Sequence, residues 1–472
     1  MTARVLAGEA AAAPPAGGPA RQGWALAGLA TAQFMVILDS SIVNVALPSI
    51  RRGLDLGPAG LSWVVDGYLV AFAGLLLLGG RLADVFRRRA VLLGGLALFT
   101  AASAVCALAP DGPVLVGGRV VQGAGGAVMA PAALSIVMTL FPDGHARSRA
   151  LGVWGGVSGA GGIAGVLLGG VLSQTLGWPW IFVINVPVGL AVGAVVLTAV
   201  RPSPAAGGGF DLAGAVTVTL AMAALAYGLV SGSGAGWCAP VTLTALTAGV
   251  LALAAFVAVE RRASRPLVPL TVFTRPRLVI ANAIMLMTGA VTVGLFYFLP
   301  QYQQTLLGMT PLETSLTQLP IALTITAGGL LAPRVAATAG PRAALAAGPA
   351  VLTVGLAWLA PADPHAGLLR LLGPFLLVGA GVGTAFVHIT SLAVAGAATE
   401  ETGLVSGLVN TTRQMGGALG LATLVAVSTR PGRLPDLSVA FLGAGVFAAT
   451  GLLLSLLPAL QQDPDVTAGS GR

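Results

Sequence analysis

Apolar residues run along this chain in long blocks, not in the alternation of a half-buried strand or the narrow stripe of a surface helix. Fourteen stretches are each long and apolar enough to be a membrane-crossing helix: 24–47, 62–82, 90–109, 113–138, 150–172, 180–200, 212–231, 240–259, 278–300, 315–333, 343–360, 367–391, 403–428 and 437–459. About 20 apolar residues cross the hydrocarbon layer, and a helix satisfies its own backbone there. The pattern predicts an all-α polytopic membrane protein with 14 transmembrane helices. Residues 1–23 are rich in Ala, Gly and Pro without an apolar block, so they read as a disordered cytoplasmic tail rather than a signal peptide. Residues 460–472 read as a second, short polar tail on the same side.

Charge sets the orientation. Only 8% of the 472 residues are charged, too few to cover a water-soluble fold of this size. All 24 basic residues are Arg. With both termini inside, the inner segments hold 16 of them (Arg4, Arg21, Arg87, Arg88, Arg89, Arg147, Arg149, Arg201, Arg261, Arg262, Arg265, Arg275, Arg277, Arg334, Arg342, Arg472) and the outer loops hold 5 (Arg51, Arg52, Arg370, Arg430, Arg433). That is the positive-inside asymmetry, and it explains the net charge of +8 without nucleic acid. The expected location is a bacterial inner or plasma membrane, multi-pass, with cytoplasmic termini. The absent lysine excludes a Walker A site and Schiff-base catalysis. Cys106 and Cys238 are far apart, and His145, His365 and His388 have no ligand spacing, so no metal and no cofactor is expected.

A faint internal repeat points to two related halves. Gly79-Gly80-Arg81-Leu82-Ala83 in the second span echoes Gly328-Gly329-Leu330-Leu331-Ala332 in the tenth. Gly123-Ala124-Gly125 in the fourth echoes Gly379-Ala380-Gly381 in the twelfth. An offset of eight spans predicts two six-helix bundles, 24–200 and 278–459, with two extra helices and a cytoplasmic loop in 201–277. Repeated bundles with a midplane substrate site are a transporter architecture.

Charged and polar residues inside spans are the candidates for chemistry, because each is expensive in hydrocarbon. Asp39, in the first span, is suited to carry a proton or to act as a hydrogen-bond hub for Asn44 and neighbouring backbone. Asp66, early in the second span, reads either as a proton or cation site reached from the outer mouth or as an interfacial helix-start acid. Arg119 in the fourth span either holds a carboxylate ionised or snorkels to the nearby surface. Asn44, Gln122, His388 and Arg413 are the candidates for the substrate cavity. His388 reads as a switch or, more simply, as a satisfied structural histidine.

Several motifs resemble one family. Gly80-Arg81-Leu82-Ala83-Asp84-Val85-Phe86-Arg87-Arg88-Arg89 resembles the signature loop of the major facilitator superfamily, with Arg87 where a second Gly is usual. Arg119-Val120-Val121-Gln122-Gly123 resembles its Arg-x-x-Gln-Gly motif. The fifth span, with Gly161, Gly165 and Gly169 on one face, resembles the antiporter motif, with Val166 in place of Pro. Gly177-Trp178-Pro179-Trp180-Ile181-Phe182-Val183-Ile184-Asn185-Val186-Pro187-Val188-Gly189 and Ser406–Gly420 are similar to stretches of the fourteen-span drug:proton antiporters of the QacA/EmrB type. The resemblance implies a major facilitator fold and proton-coupled efflux of small lipophilic drugs or antibiotics by alternating access. It implies Arg119 in proton coupling, beside Asp39 and Asp66 as read above from their place in the spans, and Gly80, Asp84, Arg88 and Arg89 as a cytoplasmic gate loop. Its partners are substrate, protons and the lipid bilayer, with no nucleic acid and no obligatory protein partner. The rivals are a proton-coupled importer or uniporter on the same fold, a membrane half served by a separate ATPase, and a membrane-embedded enzyme. The last lacks an acidic metal cluster, since Glu400-Glu401 has no third carboxylate near it.

Overall fold

The computed structural model describes residues 19–141, 144–202, 211–264, 266–268, 270, 274–363, 368–394, 402–429 and 435–457. All regular structure among them is helical. In chain order the helices are α1 (Pro19–Leu54), α2 (Pro58–Val85), α3 (Arg88–Ala107), α4 (Gly112–Leu140), α5 (Gly144–Thr175), α6 (Trp180–Val183) and α7 (Asn185–Ala199). They continue with α8 (Leu212–Ala235), α9 (Pro240–Arg262), α10 (Pro276–Gln301), α11 (Pro311–Leu359), α12 (Leu368–Val394), α13 (Thr402–Ser428) and α14 (Leu437–Ser455). A π-helical turn, Tyr302–Leu306, extends α10.

Among the described residues, twelve helices are long and apolar enough to cross a membrane, against the fourteen expected. Two local features account for the difference. α11 is 49 residues of nominally continuous helix, yet Gly340 inside it sits at φ 83°, ψ 157°, a conformation no helix contains. Gly340-Pro341 therefore breaks it where the sequence places a loop between 333 and 343. α13 carries the polar run Asn410-Thr411-Thr412-Arg413-Gln414, which dilutes its hydropathy although it spans 27 residues. Helix α1 begins at Pro19, so residues 19–23, read as tail, are helical, and the Arg21 guanidinium donates to the carbonyls of Thr198 and Ala199. The tails at 1–18 and 458–472 lie outside the described residues.

Packing divides the helices into groups. α1 lies against α5 and α7, α4 against α2 and α3, and α3 against α7. In the second group α10 packs on α13 and α14, and α11 on α12 and α14. α8 pairs with α9 and also touches α2 and α13, one from each group. The repeated glycines explain two of these contacts. A Cβ on Gly79 would strike the Ala127 carbonyl of α4, and one on Gly123 would strike the Tyr68 carbonyl of α2. In the same way, Gly328 faces the Ala380 carbonyl of α12, and Gly379 faces the Ile321 carbonyl of α11. The echoed motifs thus make the same reciprocal backbone approach in α2–α4 and in α11–α12. In lipid, where association depends on close packing, such small-residue seams join helices.

The two groups meet along α1–α10, α2–α13 and α5–α11. At one end this seam is closed by three hydrogen bonds. Gln304 Nε2 donates to the Val45 carbonyl (2.9 Å), Ser315 Oγ to the Val166 carbonyl (2.7 Å), and the Leu312 amide to Gln174 Oε1 (3.1 Å). Toward the other end, α5 and α11 present open space and exposed apolar side chains. Gly152, Gly155, Gly156 and Gly159 have open space where a side chain would stand, and Leu323, Leu330 and Leu331 are exposed.

Candidate functional site

The polar centre of the first bundle is built on Asp39, which is completely buried near the middle of α1. Three donors from two other helices converge on its carboxylate. Arg119 Nη1 reaches Oδ2 at 2.6 Å, while Gln122 Nε2 and Asn185 Nδ2 share Oδ1 at 2.7 and 2.9 Å. Arg119 and Gln122 are three residues apart on α4 and so project side by side. Gln122 Oε1 accepts a second bond from Arg119 Nη1 (2.7 Å), and Gln122 Nε2 also reaches Ser103 Oγ of α3 (2.8 Å). The guanidinium is completed by a bond from Nε to the Val64 carbonyl of α2 (3.0 Å). It lies 4.3 Å from the Tyr68 ring centroid and 5.9 Å from that of Phe182, within cation–π range.

One ion pair therefore ties together α1, α2, α3, α4 and α7. Each member has a local reason to be there. The short α6 ends at Val183 and α7 starts at Asn185, so the Trp-Ile-Phe-x-x-Asn stretch turns just where Asn185 must face α1. Gly123 lets α4 approach α2 closely enough for Arg119 to reach a backbone carbonyl there. The ion pair is buried on both sides, with 2% and 0% of the side chains exposed. Arg119 does not snorkel: Nε and Nη1 find their acceptors inside the bundle.

Asp66, nine residues into α2, has a contrasting environment. It is 0% exposed, and neither carboxylate oxygen has a hydrogen-bond partner. It is not a helix-start acid, since Gly57 occupies the N-cap. Tyr297 of α10, in the opposite bundle, lies within electrostatic reach, and its hydroxyl is also buried without a partner.

The other candidates do not join this centre. Gln122, expected to line a substrate cavity, is consumed by the Asp39 network and is fully buried. Asn44 donates to the Ser40 carbonyl of its own helix (3.0 Å) and does not contact Asp39. In the second bundle, His388 of α12 is buried with Nε2 unpartnered, and half-buried Arg413 of α13 donates to Asn410 Oδ1 (3.1 Å). Gly161, Gly165 and Gly169 face α1, against Phe34, Leu38 and Ile42 carbonyls. Val166 continues α5 without a kink and offers its carbonyl to Ser315.

The α2–α3 turn is tight without a second glycine. Arg87 adopts φ −66°, ψ 107°, which any residue can take, so its departure from the signature costs nothing. Arg88 donates to Thr139 Oγ1 near the end of α4 (2.6 Å), and Arg89 to the Leu197 carbonyl near the end of α7 (2.7 Å). Both cations thus sit at helix C-termini, where the dipole favours them. Gly80 lies near Pro131 of α4. The side chain of Asp84 lies outside the described residues.

Asn185, Ser103 and Tyr297 are site residues that the pattern of the chain did not single out. Asn185 was visible inside a motif, but nothing in its spacing from Asp39, 146 positions away, announced the contact.

Residues 29–421 match the family described as Major Facilitator Superfamily. The chain is 40% identical over 443 residues to the cephamycin export protein CmcT of Amycolatopsis lactamdurans, covering 91% of each chain. It is 38% identical over 422 residues to the puromycin resistance protein pur8 of Streptomyces alboniger, covering 87% of this chain and 82% of that one. Its fold is similar to a solved D-xylose-proton symporter, with a TM-score of 0.67, 14% identity, and 92% and 97% of the two chains covered. With the repeated bundles, the signature turn and the buried intrabundle ion pair, these matches place the chain in the major facilitator superfamily, as a multi-span membrane transporter and not an enzyme.

Proposed function

We propose that this transporter exports small lipophilic compounds, antibiotics among them, in exchange for protons. Relatives named for antibiotic export and resistance support the substrate class, since they align over most of both chains. The observation that carries the proton coupling is Asp66: a buried acid with no donor to either oxygen, on the helix that meets α13 and within electrostatic reach of Tyr297 of α10. A carboxylate costs several kcal/mol in such a place, whereas the neutral acid costs far less. Asp66 is shut off from water in this state, and opening the end at which it lies would admit water and let it exchange a proton. Asp39, with Arg119, Gln122 and Asn185, is the fixed charge against which the bundle moves. Proton entry down the membrane potential supplies about 2.3 kcal/mol per 100 mV.

We read the chain as crossing the membrane fourteen times, as in the QacA/EmrB type. The break at Gly340 divides α11 into two crossings, and α13, seated between α2 and α10, supplies another. The domains are then a bundle over 24–200, two helices and a loop over 201–277, and a bundle over 278–459. With the termini cytoplasmic, the hydrogen-bonded end is the outer one, and the end that holds Gly152 and Gly155 faces inward.

The test is accumulation of a lipophilic dye inside inside-out vesicles, whose exposed face is the cytoplasmic one, under a pH gradient. Uphill dye movement against the proton, abolished by an uncoupler and lost in Asp66→Asn, is expected. Co-directional movement of dye and proton would make the protein an importer, and gradient-independent uphill transport driven by ATP would remove the proton altogether.

A further inference from the structure

Every described acid of the second bundle is engaged at a helix end. Glu313 closes a capping box with Thr310, Asp436 caps α14, and Asp363 pairs with Arg370 at 2.7 Å. The bundle still holds a cation in the middle of its interior helix α13. The backbone of Arg413 is pressed against Gly289 of α10, and its guanidinium reaches toward α12, 5.9 Å from the Phe386 ring. Its one described hydrogen bond is to the amide oxygen of Asn410, and Nε is buried with no acceptor. No carboxylate among the described residues pairs with it. The contrast with Arg119, which has a carboxylate, an amide and a carbonyl as acceptors, is complete.

An arginine held within a membrane bundle needs an anion or water, and a carboxylate matches its planar fork with two parallel bonds. Asn410 fixes one terminal nitrogen and the Phe386 ring lies 5.9 Å away, so the guanidinium is aimed while its buried Nε is left without an acceptor. We infer that Arg413 is the specificity-determining residue for the carboxylate of an anionic lipophilic substrate, with Asn410 positioning it. The inference rests on the exporter reading above and adds the charge of the compound. A dication, by contrast, meets no free acid among the described residues of this bundle.

The test uses inside-out vesicles with pyrenebutyrate and its methyl ester as a matched pair, in wild type, Arg413→Gln, Arg413→Lys and Asn410→Ala. The expected result is that Arg413→Gln raises the KM for the acid about tenfold or more, as loss of a charge-assisted pair requires. The ester should be unchanged. Arg413→Lys, which keeps the charge but not the fork, should fall between, and Asn410→Ala should show the same acid-selective loss in smaller measure. If Arg413→Gln yields no folded protein, the other two variants are read for the same contrast. Equal effects on acid and ester, or none on either, overturn the subsite. Export of neither compound by wild type also overturns it, and dye accumulation by the same vesicles then shows separately whether the exporter reading stands.

Discussion

Replacing Asp39 by Asn tests the buried network most directly. Three donors converge on two carboxylate oxygens: Arg119 Nη1 on one, Gln122 Nε2 and Asn185 Nδ2 on the other. An amide has a single oxygen and brings two donors of its own. If that oxygen takes the shared position, its NH2 faces Arg119. If it takes the other, its NH2 faces both Gln122 and Asn185. Either way Arg119, 2% exposed, loses its counterion. Breaking one side of a buried pair costs about 3–5 kcal/mol, since the remaining charge stays buried. Arg119→Gln should cost a similar amount. The double variant removes both charges and should be less destabilised than the sum of the singles, by about 0.5–3 kcal/mol, the range for residues in one network. Reversible unfolding by denaturing detergent from mixed micelles, wild type and three variants side by side, gives the cycle. Single variants each within about 1 kcal/mol of wild type and a strictly additive double would refute the network as the tie among these helices.

Asp66→Asn should behave in the opposite way. With no hydrogen bond to lose, its stability should stay within about 1 kcal/mol of wild type in the same unfolding assay, while pH-driven transport disappears. Arg87→Gly, which installs the signature's usual residue, should lower stability by about 0.4–1 kcal/mol, because Arg87 needs no positive φ and glycine only enlarges the unfolded ensemble. Protease-sensitive tags at residue 1 and at residue 472 should both be protected in intact cells, and exposure of one alone would require an odd number of crossings.

The helices were legible because a bilayer-crossing segment must be continuously apolar, and the glycine echoes pointed to two related halves, though not to the α2–α4 and α11–α12 seams that those glycines line. The break at Gly340 was legible too, since Gly-Pro interrupts an apolar run. Single residues were legible only by cost: Asp39, Asp66 and Arg119 stood out as polar groups where polar groups are expensive. Their relationships were not. Arg119 and Asp39 are 80 positions apart, and one sequence contains nothing that pairs them. Asp66, with the same residue type as Asp39 and the same complete burial, has no donors at all, a difference made by neighbours on other helices.

The three bonds that close one end of the seam set how readily that end opens. Each is a neutral hydrogen bond, worth about 0.5–1.5 kcal/mol net. Ser315→Ala removes the bond to the Val166 carbonyl and leaves α5 and α11 otherwise in place. The closed-to-open ratio at this end should therefore fall by about 2- to 12-fold, since 1.4 kcal/mol is a factor of ten. Gly170→Val acts through sterics. A Cβ at Gly170 would strike Ser315 Oγ and come within 2.6 Å of the Pro311 carbonyl, and a backbone atom cannot rotate away. The helices must separate there, so this variant should favour the open end more strongly than Ser315→Ala. Spin labels at residues 176 and 306, both exposed in the structure, report the gap by double electron–electron resonance once Cys238 has been replaced. The long-distance population should grow from wild type to Ser315→Ala to Gly170→Val. Under a pH gradient, protonation of Asp66 should shift it back toward closure in wild type but not in Asp66→Asn. An unchanged distance distribution in Gly170→Val would mean that α5 and α11 do not form the moving seam.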